Sequence, residues 1–247
     1  MGLRDFFGGG GGKTKVAKYT KTAINPYTQS AERYHAMEQL LSIGGKDDSQ
    51  MVDAYVGVLK RFTIASTKSI EDEEEKGWAY RRLSAIGKPL LPALEAFCLE
   101  AENIAWALRI LEDVANAKEE WALLDKLLEQ HPPGYERDPA KKIQMLTHLA
   151  EIDDPKVPQT LVRYLSDDDE TVRFFCVEAL IDIGEEADSK AGLIGRLTDE
   201  KEDSLRLRTR VLDGLAELGW DISAQVAALT PHLGGEHEIK DGKIQRR

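Results

Sequence analysis

Two cysteines in 247 residues leave no disulfide framework to build on. Cys98 and Cys176 each sit inside an apolar helical phrase, LEAFCLEA and RFFCVEAL, and read as small core residues rather than as a bridge or a metal pair. Aromatic residues are sparse at 7%, and the aliphatic ones recur at helical spacing, which predicts an all-α chain. No run reaches the roughly 18–20 consecutive apolar residues of a membrane-spanning helix. The opening MGLRDFFGGGGG also lacks the long apolar core of a secretory leader, so a cytoplasmic location is expected. Basic residues are outnumbered, 33 Lys and Arg against 44 Asp and Glu, giving a formal charge of −11. That sign argues against duplex nucleic acid as partner, because phosphates are held by clustered Lys and Arg.

Catalytic and ligating patterns are missing as well. The five His residues are scattered, with no His-Glu-x-x-His or Cys-x-x-Cys spacing. His232 and His237 lie across Gly234 and Gly235, a poor metal geometry, and are expected on the surface. The run Gly8 to Thr14 imitates the end of a phosphate loop, but that motif needs a glycine where Phe7 stands and a buried strand before it. The acidic run Glu71 to Glu75 reads as carboxylates in the first turn of a helix, where they favour the dipole. No Ser or Cys has a nucleophile's surroundings, so no catalytic residue, metal or cofactor is expected, and the chain reads as a non-enzyme.

What the chain does contain is repetition. TVRFFCVEALIDIG, ending at Gly184, recurs as ERYHAMEQLLSIG to Gly44, GWAYRRLSAIG to Gly87 and RTRVLDGLAELG to Gly219. IAWALRILEDVA to Ala115 and KKIQMLTHLAEID to Asp153 repeat the register without the glycine. Aligned copies place Ala36, Ala79 and Cys176 eight residues before the end, Leu40, Leu83, Leu180 and Leu215 four before, and Ile43, Ile86, Ile183 and Leu218 one before. Those offsets predict one buried stripe on a helix, with the glycine as its C-terminal cap. Partner helices fall between the copies, and Pro89, Pro92, Pro155 and Pro158 sit at or near their first turns.

A chain of helix pairs with irregular intervals predicts an α-solenoid. The pattern resembles the HEAT repeat, in the bacterial variety named after phycobilisome lyases. DDPKVPQTLVRYLSDDDETVRFFCVEALIDIG is its clearest unit, with an Asp-rich turn before Val172 and Arg173. The resemblance spans about residues 28–233 and implies a right-handed superhelix of about six helix pairs. Three segments are expected: a flexible, basic, Gly-rich stretch over 1–26, the solenoid over 27–233, and a hairpin or tail over 234–247. Asp241-Gly242 suits a type I′ turn that would set Ile239 opposite Ile244.

In HEAT-like stacks the second helix of each pair lines a concave surface that holds partners, so the resemblance implies a non-catalytic scaffold or adaptor. Positions nine, six and two before the end of each copy lie opposite the buried stripe. They read His35, Glu38, Ser42; Trp78, Arg81, Ala85; Trp106, Arg109, Asp113; Gln144, Thr147, Glu151; Phe175, Glu178, Asp182; Arg210, Asp213, Glu217. Trp78, Arg81, Trp106 and Arg109, with Gln144, Glu178, Asp182 and Asp213, are the expected partner-binding residues. The arginines would meet an acidic group of a protein or peptide, and the carboxylates a basic segment of it. The opposing reading buries both Trp rings between repeats and pairs the arginines with nearby carboxylates. Two other functional classes carry similar repeats, bilin lyases and alkylpurine DNA glycosylases, and an enzyme or chaperone of the first kind or a nucleic-acid binder of the second are the alternatives. Leu3, Phe6 and Phe7, with Lys13, Lys15, Lys18 and Lys21, could also touch an anionic lipid surface, though so short a segment anchors weakly.

Overall fold

The computed structural model describes the backbone of residues 8–64 and 69–247 and the side chains of 14–64 and 70–247. The helices, in chain order, are α1 Gly8–Ala23, α2 Ser30–Gly44, α3 Met51–Leu59, α4 Ser69–Ser84, α5 Leu91–Glu100, α6 Ala105–Val114 and α7 Ala117–Gln130. They continue as α8 Ala140–Ala150, α9 Lys156–Tyr164, α10 Glu170–Ile183, α11 Glu186–Thr198, α12 Leu205–Leu218 and α13 Val226–Leu229. Strands β1 His237–Lys240 and β2 Lys243–Arg246 close the chain. The fold is an all-α solenoid with a short C-terminal hairpin, and every repeated phrase lies on an even-numbered helix from α2 to α12.

The chain divides into two compact units, the first ending at Gln130 and the second running from His131 to Arg247. In the first, α2, α4 and α6 pack side by side as one layer and α3, α5 and α7 as another, with α1 against α2 and α3. In the second, α8, α10 and α12 form one layer, α9, α11 and α13 the other, and β2 packs on α12. The core between the layers is the predicted stripe: Ala36, Ala79, Cys176, Leu40, Leu83, Leu180 and Leu215 are all buried. Cys98 is buried too. Each fully buried leucine removes enough apolar area to contribute about 1.5–3 kcal/mol, which outweighs the weak helix preference of the loops around it.

Several expectations are corrected. The last register of the stripe is not core: Ile43, Ile86 and Leu218 are half-buried and Ile183 is 37% exposed, because the helix ends there and no further turn covers it. Gly184 and Gly219 do cap α10 and α12 in the left-handed conformation, at φ 67° and 61°. Gly44 does not: it is helical, and its missing side chain makes room for the Tyr55 ring. The stretch from Gly8 is helix rather than flexible segment; burial of Val16 and Ala23 against α2 and α3 overrides the poor helix propensity of glycine. The lipid-contact residues Leu3, Phe6 and Phe7 lie outside the described residues. The hairpin has the predicted register, Ile239 opposite Ile244, and turns at Asp241 and Gly242 with φ 51° and 73°.

Candidate functional site

In the first unit the expected residues sit on the α2–α4–α6 layer, where aromatic rings bridge successive helices. Tyr34 on α2 meets Trp78 on α4 edge-on, with centroids 5.2 Å apart. Tyr80 on α4 meets Trp106 on α6 at 5.9 Å, and Trp106 also stacks on buried Phe62 at 5.3 Å and 12°. Both tryptophans are therefore half-buried, wedged against the preceding repeat with part of each ring exposed. Arg109 lies over Trp106 at 5.2 Å and over Tyr80 at 5.7 Å. Trp78 is covered by Arg82, at 5.7 Å, rather than by Arg81. The rings are thus only partly buried, and the guanidiniums are not paired: among the described residues Arg81, Arg82 and Arg109 make no ion pair, and all three are exposed. The nearby Asp113 carboxylate is occupied, accepting from Ser84 Oγ at 2.7 Å and from the Tyr80 hydroxyl, whose pKa this bond raises.

Behind this face lies an ion network built partly from carboxylates expected only to favour a helix dipole. The first-turn run Glu71 to Glu75 contributes two buried carboxylates, Asp72 and Glu75, to the interior. Glu75 accepts from Ser30 Oγ at 2.8 Å, Arg33 Nε at 2.9 Å and Arg61 Nε at 2.9 Å. Arg61 also reaches Asp72 at 2.5 Å, and Lys76 holds the other Asp72 oxygen at 2.7 Å. Burial pushes both carboxyls up, but the hydrogen bonds pull harder, so each titrates below the usual carboxylate range. The network is internally satisfied and joins α2, α4 and the turn after α3, which makes it structural.

In the second unit the expected carboxylates separate into two kinds. Glu178 is bonded by Arg210, which also reaches Glu217 at 3.2 Å. Asp213 accepts from His237 Nε2 at 2.8 Å and from Arg246 Nη2 at 2.8 Å, and these bonds outweigh burial to lower its pKa. His237 is thus a buried latch of the hairpin on α12 and not a surface residue, and Asp213 faces the hairpin instead of a partner. Asp182 and Glu151, by contrast, are exposed and make no ion pair among the described residues. They rim a groove of ≈ 340 Å³ between α8 and α10 that also takes in Glu178 and has Phe175, Ala179 and Ile183 for its apolar floor. Gln144, half-buried on α8, is not among the groove's lining residues.

Not anticipated from the sequence is a basic residue eleven places before the end of most copies. It is Arg33, Lys76, Lys142, Arg173 and Arg208 in five of six copies. Lys142 reaches Asp167 at 2.7 Å, and Arg173 reaches Glu202 at 2.8 Å, all four side chains being buried. A charge recurring at one register next to the buried stripe was the available signal. Among the described residues no group of three His, Cys, Asp or Glu could hold a metal ion, and no helix is long and apolar enough to cross a membrane.

Residues 122–213 match a family model described as HEAT repeats, which supports a HEAT-repeat protein; repeats of this kind commonly mediate protein interactions. No curated protein and no solved structure matches the chain.

Proposed function

We propose that this chain is a non-catalytic adaptor of the cytoplasm that binds another protein through the exposed side of its repeated helices, with repeats of the phycobilisome-lyase variety. The observation that carries the reading is the face of the first unit. Three guanidiniums without ion pairs among the described residues stand in a chain of net charge −11, two of them laid over half-exposed Trp and Tyr rings. A core would hide those rings, and a solvated surface of an acidic chain would supply carboxylates to the arginines. Ring stacking fixes the guanidiniums in place, so little side-chain entropy is lost when they meet an acidic group. Large rings beside arginine are also the residue types that dominate binding energy at protein interfaces.

The test uses arginine rather than tryptophan, because Trp106 also supports buried Phe62. Arg81→Ala, Arg82→Ala and Arg109→Ala together should abolish capture of the native partner from the source cell while leaving the melting temperature within a few degrees. Undiminished capture by a variant of unchanged stability rules this face out.

A further inference from the structure

The groove on the second unit is a separate feature with its own chemistry. Of the carboxylates on the exposed side of α10 and α12, Glu178 and Glu217 share Arg210, and Asp213 is bonded by His237 and Arg246. On the groove, Asp182 and the Glu151 that follows α8 have no such partner among the described residues, and both are exposed. Between them runs an apolar floor that includes Phe175 and Ile183, the latter one of the few large hydrophobic residues left exposed among the described residues. The volume, ≈ 340 Å³, is at the lower end of the roughly 300–1,000 Å³ typical of ligand sites. It suits one or two side chains better than a whole cofactor.

From this combination we infer that the groove is a docking site for a lysine or arginine side chain of a partner polypeptide. The aliphatic stem lies on Phe175 and Ile183, and the cationic head sits between Glu151 and Asp182. Lys and Arg are the side chains with an apolar stem and a charged tip, so they alone satisfy floor and rim together. A purely apolar side chain would leave two carboxylates facing it, and an acidic one would be repelled. The inference rests on the protein-binding reading in that a peptide carries the cation, but it uses none of the residues of the first unit.

Fluorescence anisotropy on the full chain tests it, with a labelled, end-blocked peptide holding two Leu-Lys pairs, the same peptide with norleucine for each lysine, and one with glutamate. The lysine peptide should bind at least tenfold more tightly than the norleucine peptide, and its affinity should fall with added salt. Glu151→Gln with Asp182→Asn should remove that preference, and Thr147→Arg, which puts a cation into the groove, should block binding. All three substituted residues are exposed, and a melting curve checks that each variant is folded. Arg81→Ala with Arg109→Ala should leave lysine-peptide binding unchanged. Equal affinity for lysine and norleucine peptides, or a preference that survives Glu151→Gln with Asp182→Asn, overturns the inference. If instead the glutamate peptide binds and is lost with the arginines, this inference fails while the protein-binding reading stands. If no peptide binds at all, this inference fails, and the protein-binding reading is decided by the capture experiment alone.

Discussion

At the residue scale, side chains of one chemical type have opposite duties. Glu75 is fully buried and receives two arginines and a serine, whereas Glu151 is exposed and receives none. Removing one charge from a buried network strands the others in a low-dielectric interior, at a cost of about 3–5 kcal/mol. Glu75→Gln should therefore lower unfolding free energy by about that much in urea denaturation, and Glu151→Gln by less than about 0.5 kcal/mol. The same contrast separates Trp106 from Arg109. Trp106→Ala empties a ring site stacked on Phe62 and edge-on to Tyr80 and should cost about 3 kcal/mol. Arg109→Ala removes an exposed cation–π contact, worth about 0.5–1 kcal/mol. Equal losses from the two substitutions would show that Arg109 is a packing residue and would weaken its role in binding.

At the element scale, the terminal glycine of the repeat serves two unrelated needs. In α10 it adopts the left-handed cap, where any other residue loses about 1–2 kcal/mol. In α2 its φ is ordinary, and a Cβ would run into the Tyr55 ring of α3, a flat group with no room to retreat. Gly184→Ala should thus cost about 1 kcal/mol with the packing intact, whereas Gly44→Ala should cost up to about 3 kcal/mol and disturb the α2–α3 contact. Near-ultraviolet circular dichroism from Tyr55 would register the second change and not the first. This split shows what was legible. The helices, their pairing, the stripe at Leu40, Leu83, Leu180 and Leu215, and the register of the hairpin follow from periodicity and turn chemistry, which are local. Whether Gly44 caps or packs depends on a side chain eleven residues away, and whether Asp213 faces a partner depends on a hairpin that begins 24 residues later. Helical position put Glu178, Asp182 and Asp213 on one face, but only the fold says which of them are already paired. The buried charges escaped for a related reason: acidity in a first turn is usually solvated, and nothing local marks Asp72 and Glu75 as the ones turned inward.

At the scale of the whole molecule, two electrostatic effects compete as the solution is acidified. The formal charge is −11 near neutrality and the isoelectric point about 5.1, so protonation of surface groups from pH 7 towards 5 relieves self-repulsion and favours the folded state slightly. The carboxylates held in ion pairs within the fold act in the opposite direction and lower down. Asp72 and Glu75 in the first unit, and Glu202 and Asp213 in the second, have folded-state pKa values below the ordinary range, because ion-pair and hydrogen-bond partners outweigh burial. A group whose pKa is lower folded than unfolded adds stability that is fully present above its unfolded value, about 4, and is lost as pH falls through its folded value. The melting temperature should accordingly be level or slightly raised from pH 7 to about 5, then drop steeply below about pH 4. Combining Glu75→Gln with Glu202→Gln should lower the plateau and flatten that drop, since the variant no longer carries two of the carboxylates whose protonation drives it. A scanning-fluorimetry series from pH 3 to 8 separates the two effects: added salt weakens the surface contribution around pH 7, but leaves the acid limb of buried pairs nearly unchanged. An acid limb that vanished with salt would place the controlling carboxylates on the surface and remove the buried networks from the account of stability.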